Sequence, residues 1–468
     1  MFFAGKWVEK GPFIDVVNPY DLSVVGRVST ALPSDIDIVL ETLSSGSKRM
    51  EKMSAYDRST ILKRAAKKMA DCRTELGRLI SLESGKTIAE ANHEVGRSIE
   101  TMELSAEEAK RISGETLPLD GAPGAQSRIG FTIRVPCGIV AAITPFNFPL
   151  NLVCHKVGPA IAAGNAVLIK PATDTPLSAL RLTEILLDSG MPGEALACVT
   201  GSGAAIGKAI CQSKRIRKIS FTGSVEVGES ICQSAGLKRI TMELGSNSPL
   251  IVMGDADIDK VVKATTVTGY SLAGQVCIST QRLLVEKAIF ADLIDALVPA
   301  VKALETGDPL QKSTRVGPLI KPAEAQRVTQ WIDEAAASCA SVIAGGEREQ
   351  AMIQPALVTE VTPAMRIFKD ELFGPAVAVT QTDNIDDAIQ LANNSRYGLS
   401  AGIFTQDIDR AMSFVKQVHS GNLQVNWGPA WRADLMPYGG LKDSGMGKEG
   451  PKYAVEEMTE LKTVVFHP

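Results

Sequence analysis

The sequence lacks any long hydrophobic run and any long cluster of charges of one sign. None of its 468 residues lies in a stretch that approaches the about 18 uncharged apolar residues needed by a membrane-spanning helix. The start, Met1–Lys6, reaches a lysine after too few apolar residues for a signal-peptide core. With a formal net charge of −4 and no run of Lys or Arg, nothing favours a nucleic acid or an anionic membrane as partner. We therefore expect a cytoplasmic protein that binds neither.

Residues that form disulfides or bind metals are also scarce. None of the 8 cysteines belongs to a C-x-x-C pair, which argues against a disulfide framework and a zinc cage. No H-E-x-x-H motif occurs, so no metal site is predicted. A cysteine or serine hydrolase is disfavoured, because G-x-S-x-G is missing and only 4 histidines could supply a base.

The order of apolar patterns predicts an α/β protein of more than one domain. A chain of 468 residues exceeds the about 250–300 residues at which single cores stop growing. Between residues 138 and 250, short apolar strands alternate with helical segments, which is typical of parallel βαβ units that bind a ligand at the carboxyl ends of the strands. The same alternation returns after about Asp255. We expect two α/β domains with a cleft near their junction.

The remaining segments predict helices, strands and an arm. Residues 1–30 alternate apolar and polar positions around turns, which predicts short antiparallel strands. Residues 33–115 change to helical spacing and fit three helices. The segment 118–136 predicts a strand pair that projects from the body. The β-branched tail Leu461–Phe466 would be costly to leave unpaired, so we expect it to pair with a neighbouring subunit.

A nucleotide is the natural ligand of the first α/β region, although the usual G-x-G-x-x-G fingerprint is missing. Gly201–Gly207 carries one residue too many, and Gly223–Gly228 has a different spacing. A dinucleotide would therefore bind in a variant manner.

One thiol and several strand-end polar residues stand out as candidates for chemistry. Cys277 lies in Gly274-Gln275-Val276-Cys277-Ile278-Ser279, between a flexible glycine and a small polar residue. In an α/β sheet, polar side chains that directly follow strands converge on one crevice. The segments of this kind are Thr144–Pro149, Lys170–Thr173, Phe221–Ser224 and Glu243–Asn247.

With Glu371–Pro375 and the cysteine segment, this set of six motifs resembles the aldehyde dehydrogenase superfamily. The resemblance covers nearly the whole chain in the family's order. The details of Glu243–Pro249 and Tyr438–Gly445 are similar to the branch of lactaldehyde, phosphonoacetaldehyde, sulfolactaldehyde and non-phosphorylating glyceraldehyde-3-phosphate dehydrogenases.

The resemblance implies the aldehyde dehydrogenase fold and a homodimer or homotetramer. A variant Rossmann-type nucleotide-binding domain would comprise residues 1–117 and 137–245, and a second α/β catalytic domain would comprise residues 246–440. Residues 118–136 and 441–468 would form a protruding β oligomerisation arm and a C-terminal tail.

The resemblance also implies NAD(P)-dependent oxidation of an aldehyde to an acid. Cys277 matches the nucleophile, which suits a thiolate because it is strongly nucleophilic and its thioester hydrolyses readily. Asn147 matches the residue that stabilises the oxyanion. Glu243 matches the general base that activates water, and its presence favours hydrolysis over transfer of the acyl group to CoA.

Cofactor contacts carried over from the family are Thr144, Pro145, Lys170, Ala172, Thr173, Gly203, Gly207, Phe221, Thr222, Gly223, Ser224, Leu244, Glu371 and Phe373. Lys170 matches a contact to the adenosine ribose, and Ser224 matches a pyrophosphate contact at a helix start. Many NAD-preferring relatives have an acid where Thr173 stands, and a carboxylate there repels a 2′-phosphate. The cofactor is therefore NADP or NAD, with NADP somewhat favoured.

Substrate contacts carried over from the family are His155, Arg111, Val276, Ile278, Trp431 and Arg432. A histidine at 155, where several relatives with fatty or aromatic substrates carry an aromatic residue, favours a small polar or anionic aldehyde. Val276 stands where some phosphate-binding members have an arginine, which lowers the expectation of a phosphorylated substrate. A packing role for His155 and a solvated helix position for Arg111 are the alternatives.

Two other functions stay open at this point. One is a succinate-semialdehyde-type dehydrogenase. The other is a non-catalytic relative with a binding or structural role, whose signature would be loss of Cys277, Asn147 or Glu243. All three residues are present.

Overall fold

Two large sheets carry the alternating regions of the chain in the computed structural model, which describes residues 1–467. The strands are β1 (Phe2–Phe3), β2 (Lys6–Trp7), β3 (Phe13–Val17), β4 (Val24–Ser29), β5 (Thr116–Leu117), β6 (Ile129–Pro136), β7 (Ile139–Ile143), β8 (Ala166–Lys170), β9 (Leu196–Cys198), β10 (Lys218–Thr222), β11 (Arg239–Glu243), β12 (Pro249–Val252), β13 (Arg282–Glu286), β14 (Ser341–Ala344), β15 (Arg348–Glu349), β16 (Met352–Ile353), β17 (Ala356–Thr359), β18 (Ala376–Thr382), β19 (Ser400–Phe404), β20 (Asn422–Val425), β21 (Gly445–Met446) and β22 (Thr459–Phe466). The helices are α1 (Pro33–Lys52), α2 (Ala55–Asp71), α3 (Arg73–Ser84), α4 (Ile88–Glu108), α5 (Asn151–Ala162), α6 (Leu177–Asp188), α7 (Gly203–Gln212), α8 (Val225–Ala235), α9 (Ile258–Tyr270), α10 (Phe290–Lys302), α11 (Pro322–Ala337), α12 (Arg366–Lys369), α13 (Ile385–Asn393), α14 (Ile408–Gln417) and α15 (Pro451–Glu457).

The first sheet has eight strands in the order β2-β1-β9-β8-β7-β10-β11-β21. Its five central strands run parallel, because each is followed by a segment that crosses over the sheet before the next strand begins. They are apolar and mostly fully buried, as expected for strands covered on both faces. The carboxyl ends of β7, β8, β10 and β11 place the predicted polar segments along one edge.

The second sheet has seven strands in the order β14-β17-β18-β13-β12-β19-β20. All neighbours except β14 and β17 pair in parallel. The sheet and its helices have a hydrophobic core of their own, separate from that of the first sheet. The predicted α/β class is confirmed, whereas the exact domain boundaries stay a prediction.

The prediction of three helices between residues 33 and 115 was wrong, because four helices occupy that span. The breaks between the first three helices are so short that the helical spacing of apolar residues continues across them in the sequence. Met53 and Ser54 separate α1 from α2, and Ser54 caps α2 by accepting a hydrogen bond from the backbone N–H of Asp57. Cys72 alone separates α2 from α3.

The arm and the tail differ from the expectation in their pairing. The segment 118–136 holds one strand, β6, and its partners are β5 and β22. The tail strand β22 pairs along its whole length with β6 of the same chain, so one of its edges is already satisfied. Pairing of its other edge with a neighbouring subunit stays a prediction. Part of the expected tail, β21, instead joins the first sheet beside β11.

Candidate active site

Cys277 lies in the connection between α9 and β13, directly after a strained turn. Leu272, Ala273 and Gly274 have φ values of 48°, 51° and 72°, which lie in the left-handed region. A Cβ on Gly274 would lie 2.0 Å from the carbonyl oxygen of Gly374, so only glycine fits there. Gln275 secures the turn, because its side chain donates to the Leu272 carbonyl at 3.0 Å and accepts from the Ile320 N–H at 2.9 Å.

The Cys277 thiol is half-buried and contacts one hydroxyl. Its Sγ lies 3.3 Å from Oη of Tyr438. Burial raises the pKa of the thiol to about 11, although the Tyr438 hydrogen bond acts in the opposite direction. The free thiol therefore keeps its proton near neutral pH and needs a base, or a nearby positive charge, when it reacts.

Asn147 follows β7 and faces the cysteine turn. Its Nδ2 donates to the carbonyl oxygen of Gln275 at 2.8 Å, while Oδ1 has no hydrogen-bond partner among the described residues. An amide carries two N–H donors, so the second stays available for an oxyanion beside Cys277.

Glu243 is the last residue of β11 and is a buried carboxyl without a partner. Neither of its oxygens accepts a hydrogen bond from a described residue. Burial, followed by the negative charge of Glu449, raises its pKa well above the ordinary value, and the charges of Arg432 and Lys156 oppose this. Such a carboxyl can accept a proton near neutral pH, as a general base must.

Two cavities meet at these residues. One, of about 430 Å³, is lined by Cys277 and Glu243 together with Val276, Ile278 and Arg432. The other, of about 610 Å³, is lined by Cys277, Glu243 and Asn147. The structure thus brings together the predicted nucleophile, oxyanion residue and base, which belong to three separate segments of the chain.

Half of the predicted cofactor residues line the larger cavity. These residues are Pro145, Thr222, Gly223, Ser224, Leu244, Glu371 and Phe373. Ser224 caps α8 by accepting from the Val227 N–H at 3.4 Å, so the positive end of a helix faces this cavity. Burial raises the pKa of Glu371 to about 7, and one of its oxygens accepts from the Ser246 N–H at 2.8 Å.

The other predicted cofactor residues lie at the neighbouring strand ends or beside them. Lys170 ends β8 and donates to the Pro171 carbonyl at 2.8 Å, and Thr173 donates to the Gly201 carbonyl at 3.2 Å. A Cβ on Gly203 would lie 3.9 Å from Cε of Lys170. The backbone N–H of Thr144 donates to the Lys170 carbonyl, and Ala172 follows two residues after Lys170. Gly207 lies in α7 with open space around it. Phe221 lies in β10, and its ring is close to Gly223.

This arrangement fits a dinucleotide. The helix N-terminus at Ser224 suits a pyrophosphate, and Lys170 ends β8, which is separated from β10 by β7 in the same sheet. Burial lowers the pKa of Lys170 to about 8, so its ammonium is still charged at neutral pH.

Three of the predicted substrate residues do not line either cavity. His155 is fully buried behind Arg432 and lies 3.1 Å from its Nη2. Trp431 is 51% exposed. Arg111 lies just beyond α4, where it is exposed and pairs with Glu107 and Glu108 of that helix. The positions of these three residues in the sequence did not show in which direction their side chains point.

Several cavity residues were missed by sequence reasoning. Tyr438 begins the segment Tyr438–Gly445, which is similar to one branch of the family. That similarity could have marked Tyr438 as a candidate for the site. Arg97 and His93 lie in α4, and the pattern of apolar and polar residues in that helix does not indicate a site. The missed residues that line the smaller cavity include Lys86, His93, Arg97, Phe148, Asn151, Tyr438 and Glu449.

Comparison with known proteins decides the family. Residues 7–464 match the model of the aldehyde dehydrogenase family. The chain belongs to the aldehyde dehydrogenase family. A 3-sulfolactaldehyde dehydrogenase from Priestia aryabhattai is 42% identical over 467 residues, covering 100% of this chain and 98% of that protein. A lactaldehyde dehydrogenase from Methanococcus vannielii is 39% identical over 471 residues, covering 100% of both.

A solved relative shows how closely this aldehyde dehydrogenase follows the family fold. The glyceraldehyde-3-phosphate dehydrogenase GapN from Methanocaldococcus jannaschii, in complex with NADP, has a TM-score of 0.94 and 36% identity, with coverage of 97% of this chain and 98% of that one. The chain is thus an NAD(P)-dependent aldehyde dehydrogenase, and the predicted family, enzyme class and cofactor class are confirmed. Within the described residues, no helix has the length and apolar character needed to cross a membrane.

Proposed function

We propose that this aldehyde dehydrogenase oxidises a small polar or anionic aldehyde to the free acid through a thioester on Cys277. The observation that carries the proposal is the meeting of a thiol, a spare amide donor and an unpaired carboxyl at the junction of two cavities. The smaller cavity accommodates a small aldehyde, and the larger cavity provides a site for NAD(P).

The first step forms a C–S bond between Cys277 and the aldehyde carbon. The thiol proton passes to solvent as the bond forms, so Glu243, the unpaired carboxyl at the same cavity junction, stays free for the second step. The carbonyl oxygen gains negative charge, which the second N–H of Asn147 stabilises, and one such donor contributes about 10²–10³ in rate. When bound, NAD(P)⁺ supplies the acceptor for the hydride that leaves this carbon. The result on the protein is a thioester.

The second step hydrolyses the thioester. Glu243 takes a proton from a water molecule as the water oxygen attacks the acyl carbon, and the C–S bond breaks to release the acid and the thiol. Because Glu243 has no hydrogen-bond partner among the described residues, its oxygens are available to orient that water. This supports a hydrolytic enzyme that does not transfer the acyl group to CoA.

The proposed substrate class is supported by the cations of the smaller cavity. Arg97 and Arg432 line it together with Lys86, and the same lining holds three carboxyls, those of Glu90, Glu243 and Glu449. Guanidinium groups recognise carboxylate, sulfonate and phosphate oxygens through directed N–H groups. The relatives named above act on sulfolactaldehyde, lactaldehyde and glyceraldehyde 3-phosphate, which are all small and polar. A succinate-semialdehyde-type activity fits the same cations.

The test is turnover of short aldehydes with NADP and with NAD. The panel comprises lactaldehyde, succinic semialdehyde, glyceraldehyde 3-phosphate, and sulfo- and phosphono-substituted aldehydes, with propionaldehyde as the neutral comparison. A higher kcat/KM for polar or anionic members supports the proposal, and a clear preference for propionaldehyde contradicts it. Cys277→Ser should remove turnover of every member while the circular dichroism spectrum stays the same. Near-normal turnover would exclude Cys277 as the nucleophile.

We further propose that NADP is accepted, that the enzyme is cytoplasmic and that it forms a homodimer or homotetramer. A neutral Thr173 beside Lys170 supports the acceptance of a 2′-phosphate. The exposed apolar side chains of the arm, including Ile129 and Phe466, support association between copies of the chain.

A further inference from the structure

Two arginines line the smaller cavity, and each is held by a carboxylate. Arg97 donates from Nε and Nη2 to the two oxygens of Asp434, at 3.0 and 2.7 Å. Arg432 donates from Nη1 and Nη2 to Oε2 of Glu449, at 3.3 and 3.2 Å. The positive charges are thus largely compensated. An anion in the cavity would gain mainly from the direction of the remaining N–H groups, and less from net charge.

His155 joins these two ion pairs. Its Nε2 lies 2.7 Å from Oδ1 of Asp434, and its Nδ1 lies 3.1 Å from Nη2 of Arg432. The imidazole is fully buried in α5 and lines neither cavity. It therefore reaches the substrate region only through the arginine and the aspartate.

The chemistry of the partners leaves one tautomer for His155. A carboxylate can only accept and a guanidinium can only donate, so Nε2 carries the proton and Nδ1 accepts. Burial, together with the charge of Arg432, lowers the pKa of His155 to about 4, which keeps the ring neutral. Burial alone would raise the pKa of Asp434, but hydrogen bonds from His155 and Arg97 hold it well below its usual range.

Arg432 has a donor to spare and lies close to the thiol. Its Nε is buried and has no hydrogen-bond partner among the described residues. Its guanidinium stacks on the ring of Tyr438 at 3.9 Å, and the hydroxyl of Tyr438 contacts Cys277. A shift of Arg432 would therefore move a cavity donor that is one side chain away from the reacting sulfur.

We propose that His155 is a positioning residue for the recognition of anionic aldehydes. It holds Arg432 at a set place relative to Arg97, through Asp434, so that both guanidinium groups can donate to one anionic group of the substrate. This inference rests on the proposed substrate class and adds the residue that organises it.

The test compares an anionic with a neutral aldehyde in His155→Phe, a variant that keeps a ring of similar size and removes both hydrogen bonds. We expect KM for succinic semialdehyde to rise about tenfold, because hydrogen bonds to charged groups are among the strong ones. We expect KM for propionaldehyde and both kcat values to change by less than about threefold. His155→Gln, whose amide can donate and accept, should recover part of the loss. His419→Phe, at an exposed histidine, is the matched control.

Equal increases of KM for both aldehydes, or a fall of kcat alone, would overturn the proposal. If the wild-type enzyme shows no preference for the anionic aldehyde, the proposed substrate class fails. A crystal structure of His155→Phe then decides the positioning role independently. A displaced Arg432 guanidinium supports it, and an unmoved Arg432 overturns it.

Discussion

Glu243 and Cys277 are the residues on which the proposed chemistry depends, and burial affects both in the same direction. Burial raises the pKa of the thiol to about 11 and raises the pKa of the carboxyl well above its ordinary value. Both groups are thus more protonated near neutral pH than they would be in water. Since attack needs a sulfur without its proton and hydrolysis needs an ionised carboxylate, kcat/KM should increase as pH rises from about 6 to about 9. A flat profile over this range would contradict these assignments.

Replacing Glu243 by Gln separates the two steps of the reaction. Hydride transfer in the first turnover should persist, giving a burst of reduced cofactor equivalent to the active sites. Steady-state turnover should fall by about 10²-fold or more, because water loses its base. Rapid mixing with spectroscopic detection of the reduced nicotinamide measures both phases, and Cys277→Ser, which should give no burst, is the control. An unchanged steady state would exclude Glu243 as the base.

Lys170 should make NADP binding depend on pH. Its pKa of about 8 means that the ammonium is charged below this value and neutral above it. A bound 2′-phosphate raises that pKa, so affinity is lost only above about pH 8. KM for NADP should therefore rise toward about pH 9.5, while KM for NAD changes much less.

In the Lys170→Arg variant, the side chain stays charged over this range of pH. Its KM for NADP should therefore change less with pH than that of the wild-type enzyme. Thr173→Glu should weaken NADP far more than NAD at neutral pH, because a carboxylate repels the 2′-phosphate. Parallel changes for both cofactors in either experiment would contradict the account of cofactor choice.

At the residue scale, the sequence proposed a residue for the site where a motif contained it, and passed over the residues that only packing brings to the site. Three of the motif segments contain Cys277, Asn147 and Glu243, and the structure brings these residues together. Arg97 projects from an ordinary helix face, and no spacing distinguishes it from a solvated arginine. For His155, the sequence indicated a polar site but not that the ring lies behind Arg432.

Among the elements, the left-handed turn before Cys277 has the strictest steric requirement. Gly274→Ala would place a Cβ 2.0 Å from the carbonyl oxygen of Gly374, at a φ of +72°. We expect this backbone clash to displace the cysteine segment and lower kcat by about tenfold or more, because misplacement by about 1 Å can cost 10²-fold. Turnover and thermal unfolding together measure the effect.

Gly121→Ala is the matched control for this turn, since Gly121 has an ordinary φ and a Cβ added there would have nothing within 4 Å. It should leave turnover and the unfolding temperature unchanged. Equal behaviour of the two variants would show that the turn does not position the thiol.

Strands and helices were predictable where an apolar period of one kind ran between clear breaks. The parallel strands β7, β8, β10 and β11 appeared as buried apolar runs, because both faces of such a sheet are covered. The break at Cys72 was missed because one residue is too short to interrupt a helical pattern.

At the scale of the whole molecule, the three-stranded arm carries an apolar surface that the chain itself does not cover. Exposed side chains along β6 and β22 include Ile129 at 67% and Phe466 at 58%, and these two residues are directly opposed in the ladder. Because such a patch is costly in water, we expect another copy of the chain to cover it.

The double variant Ile129→Lys and Phe466→Lys should weaken that association by about tenfold or more, because it buries charge without a partner. Sedimentation velocity over a range of concentrations measures the change. Leu237→Lys, at a fully exposed leucine off the arm, should have no effect. If the double variant sediments like the wild type, the arm is not the contact.

The sequence by itself determined the α/β class, the family, the residues with suitable chemistry and their positions at strand ends, because these depend on side-chain type and local spacing. The tertiary structure alone decided that β22 pairs with β6 of its own chain, that Tyr438 contacts the thiol, and that Arg97, Asp434, His155 and Arg432 form one connected group. Those contacts join segments that are far apart along the chain, and only the packing of the helices against the sheets brings such segments together.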